Sequence, residues 1–212
     1  MTYADKIKKV LPRDMHRLYS RLNSPTKLQD YVDTLPINFE LSGETNLSPY
    51  HVFSQKTAHC FEGAVFAASV LAFHGEKPLL LDFATTHDDE DHTVALFKHN
   101  NRWGAISKTN HAILQYRDPV YTSSRELAMS YFHEYFMHDG RKSLRAYSAP
   151  FDVSRFAPEK WVMSGESLDW LMTRVAQSRY FPVMPEKNIR RIRRASEIER
   201  KILKFVSYRD SR

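Results

Sequence analysis

A single cysteine, Cys60, is all the sulfur nucleophile this 212-residue chain possesses. No internal disulfide can form, and any thiol chemistry rests on one side chain. No apolar run reaches the ~18 residues a bilayer span needs; the longest, residues 64–73, suits a buried helix. The first nine residues lack the apolar core of a secretory signal. Together these absences point to a reducing, cytoplasmic setting and to no membrane partner. The acidic loop at 88–91 lacks the spaced ligands and central glycine of an EF-hand loop. His133 and His138 stand five apart, not the four that put two ligands on one helix face. Neither a metal nor another cofactor is expected. No internal repeat or low-complexity tract interrupts the chain.

Hydrophobic residues make up 42% and aromatics 13%, enough for one globular domain with a substantial core. Charge is uneven. Residues 186–212 hold ten Lys/Arg and four Asp/Glu, which accounts for the whole formal charge of +6; residues 1–185 balance at 21 of each. The body is therefore not built for a polyanionic substrate. Arg190, Arg191, Arg193 and Arg194 accompany a stripe of Ile189, Ile192, Ile198, Ile202, Leu203 and Val206. That pattern reads as a long basic helix over residues 186–208, docked on the body or on a protein partner. Direct nucleic-acid contact ranks below docking.

Along the chain, residues 3–22 read as helical. Ser24-Pro25 supplies an N-cap followed by proline at the first helical position, which starts a helix reaching Thr34. Residues 37–49 are turn-rich, with Ser42-Gly43 and Ser48-Pro49 as breakers. Thr57 is a candidate cap for a helix carrying Cys60 and ending near Gly75. Residues 78–83 read as a buried strand, and residues 92–98 and 102–107 as a hairpin around Asn100-Asn101. Ser123 and Glu126 have capping-box spacing for a helix to His138, stopped by Gly140. Residues 142–148 suggest a strand and residues 168–178 a helix. Helices, then an antiparallel sheet, then helices make an α+β arrangement, with residues 1–185 as the domain and 186–212 as its basic C-terminal helix.

Cys60 heads an apolar helix, where exposed N–H groups favour a thiolate. His92, opening a strand, is the candidate base; an imidazolium beside sulfur lowers the thiol pKa further and can hand a proton to a leaving amine. The acidic loop just before His92 would keep the ring protonated if it folded nearby. The ring needs a partner on its other nitrogen. Ser107 and Asn110, returning along the hairpin, are the candidates, with Asp118 farther off. The backbone N–H of Cys60 can serve an oxyanion, and Gln55 can add a side-chain amide. His59 and His111 are rival bases, although on a helix His59 diverges from Cys60 by about 100°. Glu62 reads as a structural group at the helix start.

The segments Leu35-Pro-Ile-Asn-Phe-Glu40, Ala58-His-Cys-Phe-Glu-Gly-Ala64, Asp91-His92 and Trp103-Gly-Ala-Ile-Ser107 resemble the transglutaminase-like superfamily of cysteine enzymes, specifically the bacterial transglutaminase-like domain proteins. The resemblance spans about residues 25–135. It places the family's Cys on Cys60 and its His on His92. It implies a papain-like α+β core with the nucleophile helix packed on an antiparallel sheet. It also implies acyl transfer or amide hydrolysis on a peptide or small amide. Where the family carries an Asp after its Trp, this chain has Ser107; Asn110 is the substitute the papain-like triads suggest. The reading from another class is a non-catalytic scaffold that binds a partner through the basic C-terminal helix.

Overall fold

A computed structural model describes residues 1–41 and 43–209; Ser42 and residues 210–212 lie outside the described residues. The chain opens with α1 (Tyr3–Val10), α2 (Arg13–Arg21), α3 (Pro25–Thr34), α4 (Pro49–Gln55) and α5 (Cys60–Phe73). The stretch expected as one helix over 3–22 is two. Proline at 12 pushes Leu11 into extended backbone, at φ −74° and ψ 134°, and ends α1. Ser24 caps α3 through Lys27 N, with Pro25 at its first position. Ser48-Pro49 does the same for α4, with Ser48 accepting from His51 N. This dipeptide starts a helix where the sequence reading took it for a breaker.

Strands β1 (Leu79–Ala84), β2 (His92–His99), β3 (Arg102–Ile106) and β4 (Arg117–Tyr121) follow, then α6 (Ser124–Tyr131), β5 (Ala146–Ser148), β6 (Phe151–Asp152), α7 (Pro158–Trp161), α8 (Asp169–Ala176), β7 (Tyr180–Pro182), α9 (Glu186–Ile189) and α10 (Glu197–Arg200). Asn100 and Asn101 both adopt positive φ, 47° and 60°, and turn the β2–β3 hairpin. Among the described residues the strands form one antiparallel sheet in the order β4-β3-β2-β1-β5-β7, with β6 also paired to β1. The fold is α+β.

The sheet is covered on both faces, so its central strands are buried on both sides over most of their length. Leu80, Ala95, Phe97 and Ile106 meet α1–α5, α7 and α8 on one side. Leu81, Phe83, Val94 and Leu96 meet α6, Tyr135 and Tyr147 on the other. Helix α5 is buried from Phe61 to Phe73, which is why its apolar residues run all round it. Its small residues admit close neighbours: a Cβ on Gly63 would lie 2.4 Å from Lys108 Cβ.

Two expectations about the C-terminal half change. Helix α6 stops at Tyr131, and the chain to His138 is irregular. The long basic helix does not form. Residues 186–208 are two four-residue helices and a 3₁₀ turn, Lys201–Lys204, followed by an extended segment. The segment docks on the body: Ala195 N donates to Gly140 O at 2.8 Å, and Val206 pairs with His111. Its isoleucines do not make one face, because Ile198 is 77% exposed. No helix among the described residues is long and apolar enough to cross a membrane.

Candidate active site

The start of α5 is fixed by Glu62, not by Thr57, whose hydroxyl donates to Pro36 O at 3.0 Å. The cap position is His59, in extended backbone. Glu62 is fully buried and accepts from His59 N (2.9 Å), Leu47 N (2.9 Å), Thr45 Oγ1 (2.9 Å) and Asn38 Nδ2 (3.1 and 3.2 Å). A buried carboxylate so well supplied with donors pins residues 38–47 against the helix start. As expected, Glu62 is a structural group at the helix start.

Cys60 is the first residue of α5 and half-buried. Its sulfur lies 4.0 Å from the carbonyl oxygen of Asp91, the residue before His92. Thus the helix end and the opening of β2 meet, although 31 residues separate them. His92 is buried, and its ring stacks parallel to Phe83 across β1, with an interplanar angle of 11°.

Behind that ring stands Ser107, with Oγ 2.8 Å from His92 Nε2. The same hydroxyl donates its one proton to Leu114 O at 2.6 Å. It must therefore accept at Nε2, so Nε2 carries the proton and Nδ1 is the nitrogen left for the sulfur. Gln29 of α3 holds Ser107 in place through both backbone groups: Ser107 N donates to Gln29 Oε1 (2.9 Å) and Gln29 Nε2 to Ser107 O (2.8 Å). Leu114 sits at φ 61°, an uncommon conformation for a bulky residue. Glu134 holds it there, accepting from Leu114 N at 2.7 Å while paired with Arg117 at 2.7 Å.

His59, discounted on helical geometry, comes close to the sulfur after all, because a cap residue is not bound by helical side-chain spacing. Its Nε2 donates to Thr45 O at 2.8 Å and lies 3.4 Å from Glu62 and 3.8 Å from Glu40. Burial pushes the Cys60 thiol up, but the His59 and His92 rings outweigh it and bring it down to about 6. Burial opposes protonation of His59; the facing sulfur, Glu62 and the Thr45 carbonyl prevail and raise it to about 9.

The acidic loop does not serve the ring. Asp88 pairs with Arg141 at 2.8 Å, Asp89 accepts from Ser143, and Asp91 accepts from Thr85 N at 2.8 Å. Asn110 is spent elsewhere too: its amide bonds both backbone groups of Tyr208. Gln55 is exposed at the end of α4 and does not line the cavity that holds Cys60. Asp118 is exposed on β4, away from it. His111 lies on its rim.

That cavity has a volume of about 430 Å³ and contains Cys60, His92, His59 and Lys108. Tyr135 lines it with 3% exposure, and its hydroxyl is buried with no hydrogen-bond partner among the described residues. A buried O–H without an acceptor is uncommon and calls for an explanation. Tyr135 was not a sequence candidate, because it fell within the stretch read as a helix to His138. Among the described residues no group of three or more His, Cys, Asp or Glu side chains is arranged to hold a metal.

No protein-family model matches the chain, and a search of curated proteins finds no match either.

Proposed function

We propose that the protein is a cysteine-dependent enzyme that opens an amide or acyl bond through a thioester on Cys60, as transglutaminase-like and papain-like enzymes do. One observation carries the reading: the sulfur at the head of α5 lies 4.0 Å from Asp91 O at the opening of β2, where the next residue, His92, helps lower the thiol's pKa and has its Nε2 held by Ser107. The thiolate attacks the acyl carbon, forming an S–C bond, and the carbonyl π electrons move to oxygen. Tyr135 Oη donates to that oxyanion, together with the unpaired N–H groups of the first turn of α5. The C–N bond then breaks, and His92 delivers its proton to the departing amine. Water or a second amine adds to the thioester, gives its proton back to His92 and releases the sulfur. Ser107 takes the place of a carboxylate behind the ring. It fixes the tautomer without adding a negative charge, and His59 with Glu62 supplies part of the missing electrostatics.

The reading is tested with an activated acyl ester, following the mass of the protein. The wild type gains one acyl group on Cys60, and Cys60→Ala gains none. Tyr135→Phe slows acylation by about 100-fold or more, the range for losing one oxyanion donor. Its thermal stability holds or rises, since an unpaired hydroxyl has been removed. A wild type that is never acylated, at any pH between 6 and 9, overturns the proposal.

A further inference from the structure

The extended segment after the last helical turn crosses the rim of the Cys60 cavity. Leu203 lines the cavity itself. Beyond it, residues 205–208 run antiparallel to residues 110–112. Ala112 N donates to Phe205 O at 3.1 Å, and Ser207 N to Asn110 O at 2.9 Å. Asn110 adds a two-point clamp, its Nδ2 donating to Tyr208 O at 2.9 Å and its Oδ1 accepting from Tyr208 N at 2.8 Å. All four bonds engage main-chain atoms of the tail, so none depends on which side chains the tail carries. That is how an edge binds an extended peptide: backbone pairing gives affinity and flanking pockets give selectivity.

The flanks have a definite chemistry. At the Tyr208 end, the buried Lys108 ammonium lies 5.5 Å from the tyrosine ring centroid. The cavity that Leu203 lines also carries Asp89 and Glu90, and Glu134, which is already paired with Arg117. The tail carries Lys204 and Arg209 among Leu203, Phe205, Val206 and Tyr208, so it matches an acidic rim with an aromatic-accepting lysine.

We propose that residues 110–112 form a peptide-binding edge of the Cys60 cleft, that residues 203–208 are its internal occupant, and that its external ligand is an extended cationic peptide with an aromatic residue placed over Lys108. This rests on the cleft being the reactive site and names the substrate class for it. The bound tail narrows the entrance, and a substrate gains access by displacing it.

The test uses the full chain and a readout other than turnover. Ser207→Pro removes one pairing N–H without touching the cleft. A bulky maleimide then labels Cys60 roughly five- to tenfold faster than in the wild type, the factor set by about one hydrogen bond; iodoacetamide, which is small, reacts at an unchanged rate. A synthetic heptapeptide with the sequence of residues 203–209 binds this variant and restores slow labelling. The same peptide with its Ser207 and Tyr208 amides N-methylated does neither. Should Ser207→Pro fail to fold, Asn110→Ala decides, because it removes two bonds and leaves the backbone unaltered. Equal maleimide rates in the folded variant and the wild type, or a heptapeptide that binds neither protein, overturn the proposal. A thiol that titrates normally, with the tail effect intact, would refute the catalytic reading while leaving the edge standing.

Discussion

Cys60 sits between two imidazoles that reach it by different routes. His92 comes from a strand 32 positions away and is oriented by Ser107; His59 is its chain neighbour, turned by the cap geometry and held by Thr45 O and Glu62. The depressed thiol and the raised His59 define a window. The thiol's folded value lies below its ordinary one, so its stabilising contribution is lost as pH falls through about 6. His59's folded value lies above its ordinary one, so its contribution is lost as pH rises through about 9. Sulfur and ring attract each other as an ion pair between those limits. Iodoacetamide alkylation of the wild type should therefore reach half its plateau rate near pH 6, and both His59→Ala and His92→Ala should move that midpoint upward. A wild-type midpoint above about 8, where free thiols titrate, would sink the ion pair. In the sequence, Cys60, His92 and Ser107 were legible as candidates because thiol, imidazole and hydroxyl are recognisable residue types. His59 and Tyr135 were not, since a cap torsion and an orphaned hydroxyl exist only in three dimensions.

At the scale of the element, α5 is the part on which the site depends. Its apolar run showed a buried helix, and Glu62 at its third position fixes the start by accepting from His59 N. What the run did not show is how tightly it is gripped. Lys108 packs its stem against Gly63, one turn along from Cys60, while its ammonium reaches Leu35 O. Burial lowers Lys108 to about 8 against the pull of Asp33. A methyl group at position 63 would meet a Cβ, an atom fixed to the backbone, so neither side can yield by a rotamer change. Gly63→Ala should cost about 1–3 kcal/mol in chemical unfolding, the usual penalty of overpacking, despite alanine's better helix propensity. A variant as stable as the wild type would mean that α5 and the segment after β3 are less closely packed than this. The two Ser-Pro pairs teach the complementary lesson. One was read as a helix start and the other as a breaker, because the apolar periodicity that follows Pro25 is weak after Pro49.

For the molecule as a whole, the sheet divides a large core under α5 from a smaller one under α6, and the C-terminal segment pairs with the loop after β3. The segment is mostly exposed and held by main-chain bonds, whereas α5 is buried along almost its whole length. Hydrogen exchange should separate them. The Ser207 and Tyr208 amides should exchange through local opening, and the amides of 64–73 only through global unfolding. Equal protection of the two would show the tail to be part of the cooperative core, not a displaceable strand.

The α+β class, the buried helix headed by Cys60 and the hairpin at Asn100-Asn101 were legible in the sequence alone, and Cys60 and His92 were legible as candidates. Helical and strand periodicities, turn residues and side-chain chemistry are local properties that a chain carries whether folded or not. Three things only the tertiary structure decided: that Ser107 stands behind His92, that Asn110 clamps the tail instead of the ring, and that the basic segment breaks into short turns. Each is a choice among partners distant along the chain. Such choices are made by which polar groups burial leaves in need of a bond, and that is known only once the layers have closed.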